Sequence, residues 1–247
     1  MKKTEGGSIS KMLTLSFDTA AKVATVAVCD GERTLALYSI NNGLTQSELI
    51  LPMAESILKS LGLGFSDVEL LATSVGPGSF TGVRIGVSLV KGIAFGRKTP
   101  VVGVSTLEAL AYNARGLSGL ILPVMDARRG EVYTATFIGK DGELIRKSED
   151  RAIPISLLAE ELREVTVPIY LVGDGYTVAK KALTELQIKT EDTPLLLRDE
   201  NAASVGAVAY IKYKNGEVTD DLSLSPLYLR LPQAERERLE REGQSGK

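Results

Sequence analysis

Glycines recur every four residues inside one helix-like stretch of the chain, and this spacing restricts how the stretch can pack. The stretch contains Gly78, Gly82 and Gly86. It follows an apolar, strand-like segment and continues as a helical pattern to Gly96. A glycine inside a helix costs roughly 0.8–1 kcal/mol relative to alanine. Close approach by another element is the physical feature that would offset this cost. The spacing therefore predicts a docking surface on which Gly82 and Gly86 admit a partner helix.

The start of the same stretch suggests a second interpretation, which is anion binding. The run 76–78 is Gly-Pro-Gly, which breaks regular structure, and Ser79 is a natural N-cap for the helix that follows. Free N–H groups at a helix N-terminus attract anions. A loop built only for an anion needs glycine before the helix rather than within it, so anion binding at 79–82 is the secondary hypothesis. Arg84 either pairs with a phosphate or is solvated.

The composition of the chain excludes several kinds of chemistry. The 247 residues include no histidine and a single cysteine, Cys29, within an apolar run. A His-Glu-x-x-His zinc site and a Ser-His-Asp triad both require histidine, and one cysteine makes neither a thiolate zinc site nor a disulfide framework. The net charge of −2 provides no global basic surface for nucleic acid. Any catalysis would therefore rest on carboxylates, hydroxyls, lysines, arginines or bound magnesium.

Both ends of the sequence differ in composition from the rest. Residues 1–11 carry lysines without an apolar core, so they are expected to form a disordered extension rather than a secretory signal. Residues 231–247 are nearly all charged or polar and are expected to form a flexible tail. No apolar run approaches the roughly 20 residues that a membrane-spanning helix needs. We therefore expect a cytoplasmic protein without membrane contact.

The order of expected elements indicates an α/β fold. The first part of the chain predicts strands at 12–17, 23–29 and 33–40, a helix from Thr45 to about Leu61, a strand at 69–75, the glycine-rich helix, a strand at 101–104 and a helix at 106–115. This β-β-β-α-β-α-β-α order resembles the repeat unit of the actin, Hsp70 and sugar-kinase (ASKHA) superfamily. In that superfamily the unit is doubled, so that the protein has two lobes.

A second, degraded unit follows the first. The sequence predicts strands at 120–126 and 131–138, a third strand broken by charges at 144–153, a helix at 154–162, a strand at 169–172, helices at 178–186 and 201–214, and an extended segment at 225–230. We expect one lobe at 12–112 and the other at 113–230. Each would be a mixed β-sheet with flanking helices.

Two short segments are candidate nucleotide or anion contacts. Asp18 and Thr19 end the first strand, where the superfamily holds magnesium and a phosphate loop, although an ordinary turn aspartate is the favoured interpretation. The run Gly173-Asp174-Gly175 lies between a strand and a helix, where it either contacts a phosphate or forms a tight turn, and the turn is again favoured. A charged hairpin contains Asp126, Arg128, Arg129 and Glu131. Two interpretations are open for these residues, namely binding of an anion or a partner, or ordinary turn formation.

Three longer motifs are similar to the TsaB (YeaZ) family, whose members support synthesis of threonylcarbamoyladenosine on tRNA. The first motif is 76–86, and the similarity continues at 101–107 and 125–133. It covers about 12–230 and ends in the Pro-Leu-Tyr-Leu-Arg sequence at 226–230. One departure is Gln46, which stands where family members often carry histidine.

The resemblance implies a non-catalytic scaffold and activator, with neither catalytic nor metal-binding residues. Its partner would be TsaD, the paralogue that uses a histidine-bound metal to transfer threonylcarbamoyl to adenosine 37. TsaE, an ATPase, would join the complex, tRNA would be contacted indirectly, and the chain alone would form a homodimer. The expected interface lies on the first two helices, at Leu49, Met53, Ser79, Thr81, Gly82, Arg84, Ile85, Gly86 and Leu89.

A competing hypothesis is an enzyme of the same superfamily. An ATP-dependent phosphotransferase or nucleotide hydrolase would use Asp18, bound magnesium and the turn at 173–175. No cofactor is certain, and a weak or interface-bound nucleotide is left open. A histidine-dependent glycoprotease is excluded because the chain has no histidine.

Overall fold

The computed structural model describes residues 12–43 and 45–230, so the expectations for 1–11 and 231–247 lie outside the described residues. The first lobe contains a five-stranded sheet of order β3-β2-β1-β4-β5. Its strands are β1 (Leu13–Asp18), β2 (Ala24–Asp30), β3 (Arg33–Ile40), β4 (Leu70–Gly76) and β5 (Val101–Ser105). β1 is antiparallel to β2 and parallel to β4, and β4 is parallel to β5. The helix α1 (Gln46–Ser60) connects β3 to β4, α2 (Phe80–Ala94) connects β4 to β5, and α3 (Thr106–Asn113) follows β5.

β1 is buried along its whole length because helices cover both faces of the first sheet. Leu15 and Phe17 point into a core that includes residues of α1 and α2. On the opposite face, the Ser16 hydroxyl donates a hydrogen bond to the carbonyl of Ala202, at the start of the last helix. Side chains alternate between the two faces of a strand, so the polar alternate positions of β1 meet this helix rather than water.

The second sheet has six strands, with β6 at its centre. It contains β6 (Gly119–Arg128), β7 (Glu131–Thr134), β8 (Phe137–Lys140), β9 (Glu143–Arg146), β10 (Arg151–Pro154) and β11 (Ile169–Val172). The order is β10-β7-β6-β8-β9, and β11 pairs in parallel with β6. The helices α4 (Ile155–Leu162) and α5 (Tyr176–Glu185) pack with this sheet around a separate core.

The predicted single strands at 131–138 and 144–153 are wrong, since each is interrupted. The two interruptions lie side by side and bond to one another. The amide of Thr136 donates to the Ser148 hydroxyl at 2.9 Å, and the amide of Lys147 donates to the Thr136 carbonyl at 2.7 Å. A side-chain hydroxyl thus replaces a backbone acceptor at this point, and the regular ladder stops.

The expected lobe boundary is wrong for the end of the chain. The division at 113 places the helix α6 (Ala202–Lys214) in the second lobe, but α6 packs on the first sheet. Val205 and Val208 lie in one cluster with Leu70 of β4 and Val102 of β5. The next segment also returns to the first lobe, where the amide of Leu227 donates to the Val75 carbonyl at 2.7 Å. Residues 225–230 contain no strand.

Candidate functional site

The first turn of α2 is bonded to the loop between β1 and β2. The Ser79 hydroxyl caps the helix by accepting from the amide of Gly82, and the amide of Ser79 donates to the Ala20 carbonyl at 2.6 Å. The Thr19 hydroxyl donates to the Gly82 carbonyl at 2.7 Å. The amides of Ser79 and Gly82 are therefore already used within the chain. This geometry weighs against the secondary hypothesis of an anion at 79–82.

The close approach at the interior glycines is made by the chain itself. A Cβ atom on Gly82 would lie 2.0 Å from the Thr19 carbonyl oxygen. A Cβ atom on Gly86 would lie 2.6 Å from Thr73 Oγ1 and 2.7 Å from Thr19 Oγ1. Both glycines are buried. The prediction that they admit a partner helix is therefore wrong, because β4 and the β1–β2 loop fill that space.

The other expected interface residues divide into two groups. Met53 is only 5% exposed and belongs to the core, so its expected place at the surface is also wrong. Ser79, Thr81 and Arg84 are exposed, while the rest are half-buried above the core, namely Leu49, Ile85 and Leu89. These six residues stay a predicted interface.

Arg84 is held in an aromatic stack at the start of α2. Its guanidinium carbon lies 3.8 Å from the ring centroid of Phe80 and 5.7 Å from that of Tyr228. The two rings are stacked 5.1 Å apart, and Arg84 Nε donates to the Tyr228 hydroxyl at 2.6 Å. This contact could not be predicted from the sequence, because nothing in the local spacing links Arg84 to a tyrosine 144 residues away.

Asp18 is fully buried at the end of β1. Its Oδ1 accepts from the amide of Ala20 at 3.0 Å and from the Ser74 hydroxyl at 2.8 Å, whereas Oδ2 has no hydrogen-bond partner among the described residues. Burial removes water from the carboxylate and raises the pKa of Asp18 to about 6, against a smaller lowering by these hydrogen bonds. The first acidic candidate is therefore bonded through Oδ1 to its own loop and to β4.

Two further carboxylates belong to the same electrostatic environment as Asp18. Glu200 is 4% exposed, and burial followed by the negative charges of Asp18 and Asp174 raises its pKa well above the usual range. Desolvation also raises the pKa of Asp174, although its side chain reaches the surface. Glu200 could not be singled out from the sequence, because an acidic pair, Asp199 and Glu200, before a helix carries no distinctive pattern. Among the described residues, no three acidic or cysteine side chains are close enough to hold a metal ion.

The run 173–175 has the geometry of a tight turn. Gly173 has a φ of +106°, and a Cβ atom there would lie 2.4 Å from the Val124 carbonyl oxygen. The amide of Gly175 donates to the same oxygen at 3.0 Å, and the amide of Gly173 donates to the Arg198 carbonyl at 2.6 Å. Asp174 accepts from the amide of Asp126 at 3.3 Å. These glycines are required by the approach of β6, which agrees with the turn interpretation.

The charged hairpin of β6 and β7 is likewise a turn. Arg128 and Arg129 have φ angles of 63° and 56°, in the left-handed region. The amide of Arg128 donates to Asp126 Oδ1 at 2.7 Å, which closes the turn. Arg230 donates to the carbonyl of Ala127 at 3.2 Å and pairs with Glu131. The structure thus joins this hairpin to the end of the described chain.

These features define a two-lobed α/β protein of the ASKHA class whose glycine-rich turns are packed against its own backbone, so the predicted fold class is confirmed. Residues 45–237 match the family model described as "TsaD: tRNA N6-adenosine threonylcarbamoyltransferase". The chain is 32% identical to the tRNA threonylcarbamoyladenosine biosynthesis protein TsaB of Bacillus subtilis over 224 residues, which covers 91% of this chain and 96% of that protein. The chain belongs to the TsaB family, and the resemblance seen in the sequence is confirmed.

Two further comparisons agree with this assignment. Identity to TsaB of Escherichia coli is 30% over 222 residues, covering 89% of this chain and 95% of that protein. The solved structure of YeaZ from Pseudomonas aeruginosa superimposes with a TM-score of 0.70 at 26% identity, covering 88% of this chain and all of that one.

Within residues 12–43 and 45–230, every helix is too short or too polar to cross a bilayer.

Proposed function

We propose that this protein is a non-catalytic scaffold and activator in tRNA threonylcarbamoyladenosine biosynthesis. It binds the TsaD transferase through the outer face of α1 and α2, with TsaE joining the complex and tRNA contacted through it. The same face joins two copies when TsaD is absent, and the complex works in the cytoplasm. Membership in the TsaB family supports the pathway, and the shape of the helix pair supports the mode of action.

The outer face of α1 and α2 is the observation that carries the proposal. At helical spacing, Thr81, Ile85, Ser88 and Gly92 share one face of α2, directed away from the buried glycines. Half-buried Leu49 and Leu89 adjoin this face. Short side chains above apolar ones give a smooth surface on which another helix packs closely. A partner of the same fold, as the match to the TsaD model suggests, would bring a comparable helix pair.

The arrangement around Asp18 supports the non-catalytic part of the proposal. Oδ1 of Asp18 is bonded to the Ala20 amide and the Ser74 hydroxyl, and the amides that would receive a phosphate at Ser79 and Gly175 are bonded to carbonyl oxygens. The competing phosphotransferase hypothesis needs these groups to face a nucleotide. No specific contact in the described part of the chain favours it.

Size-exclusion chromatography with light scattering tests the proposal. The chain alone should elute with a mass near twice its 26.4 kDa and should form a stable complex with cognate TsaD at micromolar concentration. Ser88→Arg places a long charged side chain on the outer face and should weaken both associations. Ser156→Arg, at an exposed position of α4 in the other lobe, is the matched control. Failure of the wild-type chain to bind TsaD would refute the proposal.

A further inference from the structure

Arg84 presents half of its guanidinium to solvent in a fixed orientation. The Nε atom is used by the Tyr228 hydroxyl, and the guanidinium plane lies over the Phe80 ring. Within the described residues, Nη1 and Nη2 have neither a hydrogen-bond nor an ion-pair partner, and the side chain is exposed. Since the stack already limits its rotation, binding through these atoms loses less side-chain entropy than binding through a free arginine would.

The free edge of Arg84 fits a carboxylate. Two parallel N–H groups of a guanidinium match the two oxygens of a carboxylate in a bidentate pair, which is stronger than a neutral hydrogen bond and more specific in geometry. Arginine and aromatic residues are also the side chains on which binding energy concentrates at protein interfaces. Here the arginine and two aromatic rings are assembled before any partner arrives.

The surroundings favour a protein carboxylate over the phosphates of RNA. Two cations on the elements that carry the stack are already engaged, because Lys91 of α2 donates to the carbonyls of Leu222 and Leu224 and Arg230, two residues after Tyr228, pairs with Glu131. A phosphate backbone is bound through several cations, whereas a single cation beside half-buried Ile85 matches a single acidic side chain in an apolar interface. The net charge of −2 also opposes a polyanion.

We infer that TsaD places the carboxylate of an aspartate or glutamate against Nη1 and Nη2 of Arg84, and that Tyr228 is a positioning residue for this contact. The inference rests on the proposed function and names the chemistry that the partner must supply. It also assigns a role to the end of the described chain, since residues 227–230 carry the aromatic ring that orients the arginine.

Isothermal titration of cognate TsaD into this protein tests the inference. Arg84→Lys retains the positive charge but loses the paired Nη1 and Nη2 donors and the stacking of the guanidinium on Phe80. It should raise Kd at least about tenfold. Arg33→Lys, on the exposed β3, is the matched control and should change Kd less than about twofold. Tyr228→Ala should weaken binding in the wild-type background and have no further effect once Arg84 is replaced by methionine, because the two residues act together.

The outcomes separate the inference from the proposed function. If the wild-type chain binds TsaD and Arg84→Lys binds within about twofold of it, the carboxylate contact is overturned and the scaffold stands. If the wild-type chain does not bind TsaD, the proposed function fails and the inference with it. If Arg84→Lys instead weakens binding of unmodified tRNA, measured by fluorescence anisotropy, while TsaD affinity is unchanged, the site receives phosphate and the inference is overturned. An unchanged urea midpoint for each variant shows that the fold is intact.

Discussion

The carbonyl oxygen of Thr19 lies beside Gly82, only 2.0 Å from the place that a Cβ atom on that glycine would occupy. The Thr19 hydroxyl also donates a hydrogen bond to the Gly82 carbonyl at 2.7 Å, which holds the β1–β2 loop against α2. Gln46 Nε2, at the start of α1, donates to the Ala21 carbonyl at 2.5 Å. Both helices of the proposed docking face are thus tied to the loop that follows Asp18.

Glycine substitutions in α2 should therefore affect folding and not only partner binding. We expect Gly82→Ala to lower the free energy of unfolding by about 1–3 kcal/mol, because the new methyl group meets backbone that must shift. Gly92→Ala is the control in the same helix. No atom lies within 4 Å of its added Cβ, so it should raise the free energy of unfolding by about 0.5–1 kcal/mol. Urea unfolding measures both values, and equal effects would contradict the packing described here.

The sequence shows that interior glycines lower the helix propensity of α2, but it does not show which element offsets this loss. A four-residue spacing indicates close approach on one helix face, and this part of the prediction is confirmed. The β1–β2 loop lies against that face because β1 and β4, which precede the loop and the helix, pair in parallel. Packing against a partner helix and packing against the chain's own loop both require glycines at this spacing. The sequence alone therefore does not distinguish them.

The buried carboxylate of Asp18 should make stability depend on pH. Its pKa is raised from 3.8 to about 6 in the folded protein, so the folded state binds the proton more tightly than the unfolded state. Stability from this group is therefore fully present below about pH 4 and is lost as pH rises through about 6. The difference of about two pKa units corresponds to roughly 3 kcal/mol.

Asp18→Asn should remove this dependence, since the amide oxygen still accepts from Ala20 and Ser74. Relative to wild type, the free energy of unfolding of the variant should rise by up to about 3 kcal/mol between about pH 4 and about pH 8. Urea denaturation across this range measures the difference. Parallel pH profiles for the two proteins would show that Asp18 does not titrate as described.

The segment after α6 should contribute to the stability of the first lobe. Leu224 is 4% exposed within the first core, whereas Leu222, two residues away, is 80% exposed. Leu224→Ala should lower the free energy of unfolding by about 2–5 kcal/mol through the cavity that it leaves. Leu222→Ala should change it by less than about 0.5 kcal/mol. Thermal or urea unfolding distinguishes the pair, and a small effect of Leu224→Ala would mean that this segment is not part of the core.

The order of elements was predictable because each apolar run is short and bounded by turn residues. The strand predicted at 33–40 is β3, Arg33–Ile40, and the helix predicted at 201–214 is α6, Ala202–Lys214, with Asn201 as its N-cap. The paired interruptions at Thr136 and Ser148 were not predictable, since each depends on the other strand. The same is true of Arg84 and Tyr228, and of Glu200 beside Asp18, which distant parts of the chain bring together. The helices and strands could thus be predicted from local sequence patterns, whereas these contacts depend on the tertiary structure.

The most direct test of the scaffold role is reconstituted tRNA modification. Threonylcarbamoyladenosine formed by cognate TsaD and TsaE should be measured with wild-type chain, with Ser88→Arg and with Ser156→Arg. We expect modification to require the chain, Ser88→Arg to reduce it at least about tenfold through loss of the complex, and Ser156→Arg to match wild type. Full activity with Ser88→Arg, or without the chain, would contradict the claim that the outer face of α1 and α2 binds and activates the transferase.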